Sequence, residues 1–295
     1  MTSEERHEAQ YQRRRAERKA RKAAAIQSCD CFEKVFTFDH LYHAYRQSRK
    51  GVAWKASTQK YVSQAVLNIE RTRKELMNGA FRSTGFYEFD LMERGKPRHI
   101  RSVNFNERVV QRCLCDFSLV PILSRTFIYD NGASIKNKGY HFAIRRLCVH
   151  LRRHYQCYGT DGYILLFDFS KFFDRISHEV IRKILEKELS DERLIRLTQY
   201  FVDAFGDIGL GLGSQVSQIL ALASANRLDH FIKEKLHISG YGRYMDDGYL
   251  IHPSKEYLRD CLKRIRRLCE ELGIVLNEKK TQIVKLSHGF SYLKV

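Results

Sequence analysis

Two strand-forming runs carry carboxylates where carboxylates are costly, and no feature of this chain limits its fold more. In the first, Tyr163-Ile-Leu-Leu-Phe167 is followed at once by Asp168. In the second, Arg243-Tyr-Met-Asp246-Asp247-Gly-Tyr-Leu-Ile251 places two adjacent acids between β-forming residues. A carboxylate at the end of an apolar strand loses hydration unless a positive charge compensates. Adjacent like charges repel, and burial sharpens the repulsion. Alone, Asp246-Asp247 reads as a surface turn and Asp168 as a helix N-cap. Together, in this order and spacing, they predict two neighbouring strands, about 5 Å apart, that bring all three acids to one sheet edge. Three such carboxylates can hold two divalent ions roughly 3.5–4 Å apart, the arrangement used for in-line phosphoryl displacement. Magnesium suits the set, because it binds through one or two carboxylates together with substrate phosphates.

The charge balance points to the same class of partner. The 295 residues include 52 Lys and Arg against 34 Asp and Glu, a formal net charge of +18. Such a surface raises the local concentration of polyanions, so nucleic acid is the expected partner and an anionic membrane surface the weaker one. No apolar run approaches the roughly 20 residues that span a bilayer. The charged N-terminus lacks the apolar stretch of a secretory signal, and a cytoplasmic location is expected. Eight cysteines include the C-x-C pairs Cys29/Cys31 and Cys113/Cys115 but no paired C-x-x-C spacing. That pattern predicts reduced thiols rather than a zinc site.

Along the chain, residues 4 to 25 form a charge-dense run with Arg13, Arg14, Arg15, Arg18, Lys19, Arg21 and Lys22. It reads equally as a solvated helix and as a basic arm on a nucleic-acid backbone. Apolar residues recur at helical spacing from Asp39 to Met77. Phe86–Leu91 and Arg98–Val103 read as a hairpin around Arg94-Gly95-Lys96-Pro97. Further helices are expected over 107–127, 140–154, 179–189 and 253–272, and one long helix from the glycine cluster Gly206–Gly213 to about Lys235. A strand over 162–169, a hairpin over 240–251 and short strands at 274–276 and 283–286 complete an α+β order.

With these residues in hand, the chain resembles the reverse transcriptases of bacterial retroelements. The likeness rests on Tyr-Met-Asp-Asp in a hairpin, preceded by a strand ending in Asp-x-x-x-x-Phe, and it runs in family order from about residue 85 to 295. It implies a right-hand polymerase: a basic N-terminal arm or helix (1–38), fingers (39–160), and a palm (161–295) whose antiparallel sheet is backed by helices and which ends at the primer grip, with the thumb absent or truncated. By the same resemblance, Asp168, Asp246 and Asp247 hold two Mg2+ ions, for which Mn2+ can substitute, and Lys280 acts as an acid near the leaving pyrophosphate. Lys96, Arg98, Phe169, Phe173, Leu212, Gly213 and Gln218 face the incoming dNTP, with Phe173 excluding a ribose 2′-hydroxyl. Tyr244, Met245 and Tyr292 meet nucleic acid; independently of the resemblance, the basic helix around Arg145, Arg146, Arg152 and Arg153 and the N-terminal arm are candidate phosphate contacts.

The segment Gly209-Leu-Gly-Leu212-Gly213-Ser-Gln-Val-Ser217-Gln218 departs from the Gln-Gly-x-x-x-Ser-Pro of many family members. It is similar to the diversity-generating branch, whose copying is error-prone at template adenines. The implied partners are an RNA template, a DNA or RNA primer, dNTPs, a dedicated noncoding RNA and an accessory protein, with no membrane. An RNA-templated RNA polymerase fits less well, since that group usually carries Gly before its Asp pair. Two alternatives stay open: a catalytically weak palm acting as an RNA-binding module, and untemplated or protein-primed DNA synthesis in a defence system.

Overall fold

The computed structural model describes residues 3–93 and 95–294; the side chains of Lys96, Arg98, Arg18, Lys19, Arg21 and Lys22 lie outside the described residues. The chain opens with α1 (Ser3–Cys29) and the single turn α2 (Phe32–Val35). Then come α3 (Phe38–Ser48), α4 (Ala56–Val62) and α5 (Ala65–Met77). A hairpin of β1 (Phe86–Glu93) and β2 (Lys96–Val103) turns tightly at Gly95, so that Lys96 and Pro97 belong to the returning strand. After it come α6 (Phe105–Leu114), α7 (Val120–Leu123) and α8 (Tyr140–Tyr158). Strand β3 (Tyr163–Asp168) leads to α9 (Phe172–Arg175), α10 (His178–Glu188) and α11 (Glu192–Asp203). The last part holds α12 (Gln215–Ser224), α13 (Asn226–His230), β4 (Tyr241–Tyr244), β5 (Asp247–His252), α14 (Lys255–Glu271) and β6 (Gln282–Lys285).

Four strands form an antiparallel sheet in the order β4-β5-β3-β6. Side chains alternate across such a sheet, and β3 shows it. Leu165 and Phe167 join the main core with Cys261 and Ile265 of α14, while Ile164 and Leu166 pack in a second cluster with Leu147 of α8, Tyr249 and Ile251. Both faces of the central strands are therefore covered, which is why β3 reads as an unbroken apolar run. The main core is continuous from Phe32 to Leu276, so the helices before β3 and those after it share one interior.

Two expected helices are broken, for different reasons. The 107–127 segment leaves α-geometry in a π-turn over Cys115–Leu119. Pro121 has no N–H for the Phe117 carbonyl, and its ring would crowd that carbonyl in a regular helix; the wider turn accommodates both. The long helix ending near Lys235 is divided at Ala225 (φ −93°, ψ 2°) and finishes in a second π-turn, Phe231–Lys235. This break accompanies the burial of Asp229, whose carboxylate reaches across to β4. The expected strand at 274–276 contributes only a single bridge, Phe169 to Leu276. Helix α11 has no counterpart among the sequence expectations.

Candidate active site

The register of β3 and β5 sets Asp168 directly opposite Asp247. Tyr244 pairs with Asp247 on the other side, leaving Met245 and Asp246 as a two-residue turn. Met245 has φ +55°, the left-handed region that usually takes glycine, and holding a side chain there costs ~1–2 kcal/mol. The Phe169 N–H donates to the Asp246 carbonyl at 3.1 Å, locking the turn beside the end of β3. Gly248 follows the acids because it faces Phe167 in register, and a Cβ there would lie 2.2 Å from that ring.

The three acids differ in their surroundings. Asp168 is 5% exposed. Lys280 Nζ donates to its Oδ2, and Asn277 Nδ2 donates to its Oδ1 at 3.3 Å. Burial, followed by the charges of Asp246 and Asp168, pushes the Asp247 carboxyl far above the usual carboxylate range, and Lys280 only partly offsets this. Lys280 is itself held above its ordinary value: burial lowers it, but the hydrogen bond to Asp168 and the charges of Asp168, Asp247 and Asp246 outweigh that. Three carboxylates on one edge, at least one of them resisting ionisation, carry more negative charge than a single ammonium balances. The donor set is oxygen only, which suits hard divalent cations such as Mg2+ or Mn2+, so Asp168, Asp246 and Asp247 fit such ions.

Behind the turn lies a buried ion pair that motif reading does not single out. Arg243 and Asp229 are both 0% exposed. Arg243 donates from Nε to Asp229 Oδ1 at 2.8 Å and from Nη2 to Oδ2 at 2.6 Å. Its remaining nitrogen, Nη1, donates to the Met245 carbonyl at 2.6 Å. The Tyr241 hydroxyl donates to the same aspartate at 2.6 Å. A planar guanidinium can serve carboxylate and turn at once, so the strained turn is pinned from below. The available signal was a charged residue at an inward position of β4.

The other expected site residues are distributed less evenly. Phe173 sits half-buried in α9, its carbonyl accepting the Leu210 N–H at 2.7 Å. Leu212 is half-buried, while Gly213 and Gln218 are exposed. A Cβ on Gly213 would touch Ile100 of β2 at 3.4 Å, so this segment and the β1–β2 hairpin adjoin. Tyr244 and Met245 are half-buried against the main core. Arg145 is exposed on α8.

Three expectations change. The Phe169 ring is 2% exposed, packed between Phe167 and Phe172, so only its backbone faces the site. Tyr292 is 4% exposed, stacked edge-on against Tyr249, its hydroxyl donating to the Asp247 carbonyl at 3.4 Å, so that its ring packs behind β5. Arg146 turns inward, donating to Asp130 Oδ1 at 2.5 Å, because that buried carboxylate needs cations more than the surface does. The glycines of the cluster also have internal tasks. Gly209 (φ +90°) lies where a Cβ would approach the Asp174 carbonyl to 2.9 Å, and Gly211 lies against the Phe205 ring.

A family model described as reverse transcriptase (RNA-dependent DNA polymerase) matches residues 90–295. The chain belongs to the reverse transcriptase family. It is 24% identical to Protein YkfC of Escherichia coli (strain K12), over 77% of this chain and 70% of that protein. Among solved structures, telomerase from Candida albicans in complex with a fragment of telomeric RNA superposes with a TM-score of 0.53 at 14% identity, covering 72% of this chain and 44% of that one. Apo telomerase from Candida tropicalis, truncated of its C-terminal domain, gives 0.54 at 12% identity, over 78% and 57%. The chain thus spans about half the length of the telomerase chains it matches. At these identities the likeness is one of fold, a mixed helix-and-sheet polymerase architecture with fingers and palm. Among the described residues, no helix is long and apolar enough to cross a membrane.

Proposed function

We propose that this reverse transcriptase copies an RNA template into DNA, adding dNTPs to a primer 3′-hydroxyl, with residues 39–160 as fingers, 161–295 as palm and 1–38 as a basic arm. The observation that carries the reading is the register of Asp168 against Asp247 with Asp246 in the adjoining turn. Asp168, Asp246 and Asp247 would hold the divalent ions, which would supply neutralisation of the charge that develops in phosphoryl transfer. The protein's own contribution is placement. Arg243 and Tyr292 fix the turn and β5 from behind, Asn277 and Lys280 orient Asp168, and Phe173, the second residue of the short α9, is the side chain offered to the nucleotide sugar. Lys280, held protonated beside the acids, is placed to donate a proton or a charge to departing pyrophosphate. An RNA partner agrees with the +18 net charge, and the Leu212-Gly213 pair supports misinsertion at template adenines.

Primer extension on an RNA template with dNTPs and magnesium, with sequenced products, tests this. The wild type is expected to make templated DNA with errors concentrated at template adenines. Asp246→Ala is expected to make none while still binding template-primer. Equal product from both proteins overturns the mechanism. Product without template dependence favours the untemplated alternative, and evenly spread errors remove the misinsertion reading.

A further inference from the structure

A buried chain of side-chain hydrogen bonds crosses from the region before β1 to the start of α12. Ser83 Oγ donates to Glu107 Oε2. Gln111 Nε2 donates to Glu107 Oε1 at 2.9 Å. Ser214 Oγ donates to Gln111 Oε1 at 2.9 Å and itself accepts the Ser217 N–H at 3.3 Å, capping α12. Glu107, Gln111, Ser214 and Ser217 are each 2% exposed. Burial holds the Glu107 carboxyl above its ordinary value, and the two hydrogen bonds it receives only partly offset this.

A carboxylate buried this deeply has a high desolvation cost unless its hydrogen bonds are of use elsewhere. An apolar residue at position 111 would fill the same space with no polar group to satisfy. What the amide adds is direction. Its oxygen must face Ser214, because its nitrogen is committed to Glu107, so the cap of α12 is held at one position relative to α6. The residues just before that cap are Leu212 and Gly213, and Gly213 abuts Ile100 of β2. The Gln111–Ser214 bond therefore sets the Leu212-Gly213 pair against α6, and Gly213 in turn adjoins the β1–β2 hairpin directly.

We infer that Gln111 is a positioning residue for nucleotide selection: acting through Ser214, it fixes the height at which Leu212 and Gly213 meet the templating base and the incoming dNTP. This rests on the polymerase reading of the site.

The test uses the full chain carrying Gln111→Leu, Ser214→Ala and both together. Amide hydrogen exchange, which needs no catalysis, is expected to quicken at Ser217 and Gln218 in each variant, while exchange in β3 and β5 is unchanged. In steady-state extension, KM for dNTPs is expected to rise roughly five-fold or more with kcat within about two-fold. The double variant is expected to be little worse than either single one, because the two side chains act as one unit. Unchanged exchange at Ser217 overturns the positioning role whether or not the chain polymerises. Quickened exchange with unchanged KM and error spectrum overturns its link to nucleotide selection. A parallel loss of kcat, melting temperature and β3 protection identifies Gln111 as merely structural. A chain that shows the exchange effect but no synthesis, even unmutated, defeats the polymerase reading, and with it the role in nucleotide selection.

Discussion

Arg243 shows how one side chain ties the core to the chemistry. Burial works against its charge, and the Asp229 carboxylate more than compensates, so the guanidinium is held above its ordinary pKa. Replacing a buried ion pair by apolar groups can be close to neutral, whereas removing one partner strands the other. Arg243→Leu is accordingly expected to lose about 3–5 kcal/mol of stability, read from urea unfolding. Arg243→Leu with Asp229→Leu is expected to recover much of it. Activity should not return in the double variant, because the Met245 carbonyl has lost its donor and the strained turn its support. Wild-type extension rates in a refolded double variant would show that Arg243 serves stability alone. Asp168 is set by a similar logic from the other side, with Asn277 and Lys280 converging on it from the turn before β6.

At the level of elements, the β4–β5 hairpin works because its residues alternate between packing and chemistry. Tyr249 and Ile251 fill the second core cluster on the face that also bears Asp247, while Leu250 enters the main core. Gly248 is small because Phe167 occupies the space above it. Gly248→Ala has no unfavourable φ to contend with, so its effect is steric. Pressing a methyl group into that ring is expected to cost about 1–3 kcal/mol and to displace Asp247. A melting temperature and extension rate equal to the wild type would mean that the Phe167 ring moves aside freely. The π-turn before Pro121 and the break at Ala225 are element-scale counterparts. In both, a helix gives up regular hydrogen bonds, at Pro121 for want of a donor and at Ala225 alongside a buried carboxylate.

For the molecule as a whole, a second polar network joins parts far apart in the chain. Asp130, 8% exposed, receives Arg146 at 2.5 Å and Lys233 at 2.9 Å, with His150 at 3.6 Å. Burial raises the Asp130 carboxyl, but the neighbouring His150, the hydrogen bonds from Lys233 and Arg146 and the Lys233 charge hold it well below the usual carboxylate range. A depressed carboxylate pKa contributes stability that is present above its unfolded value, near 3.8, and is lost as pH falls toward the folded one. Asp130→Asn is therefore expected to be less stable than the wild type near neutrality and to lose less further stability between about pH 6 and about pH 3. Urea titrations across that range check it; parallel acid limbs would show that other carboxylates govern acid unfolding. The same network explains why Arg146 turns inward, while Arg145, Arg152 and Arg153 of α8 and Arg13, Arg14 and Arg15 of α1 stay exposed.

The acid-bearing strands and the hairpin that carries Asp246 and Asp247 were determined by sequence alone, because each follows from a local conflict between charge and apolar pattern that few folds resolve. The α+β order and the family followed from the same segments. Tertiary structure decided which way side chains turn when two demands compete. Tyr292, Phe169 and Arg146 carry chemistry suited to nucleic acid, yet packing and a buried aspartate draw them inward. Arg243 finds Asp229, Lys280 finds Asp168, and Gln111 finds Ser214 across long stretches of chain. No local pattern specifies such partners, because the energy of a buried polar group depends on what the fold brings to within hydrogen-bonding distance of it.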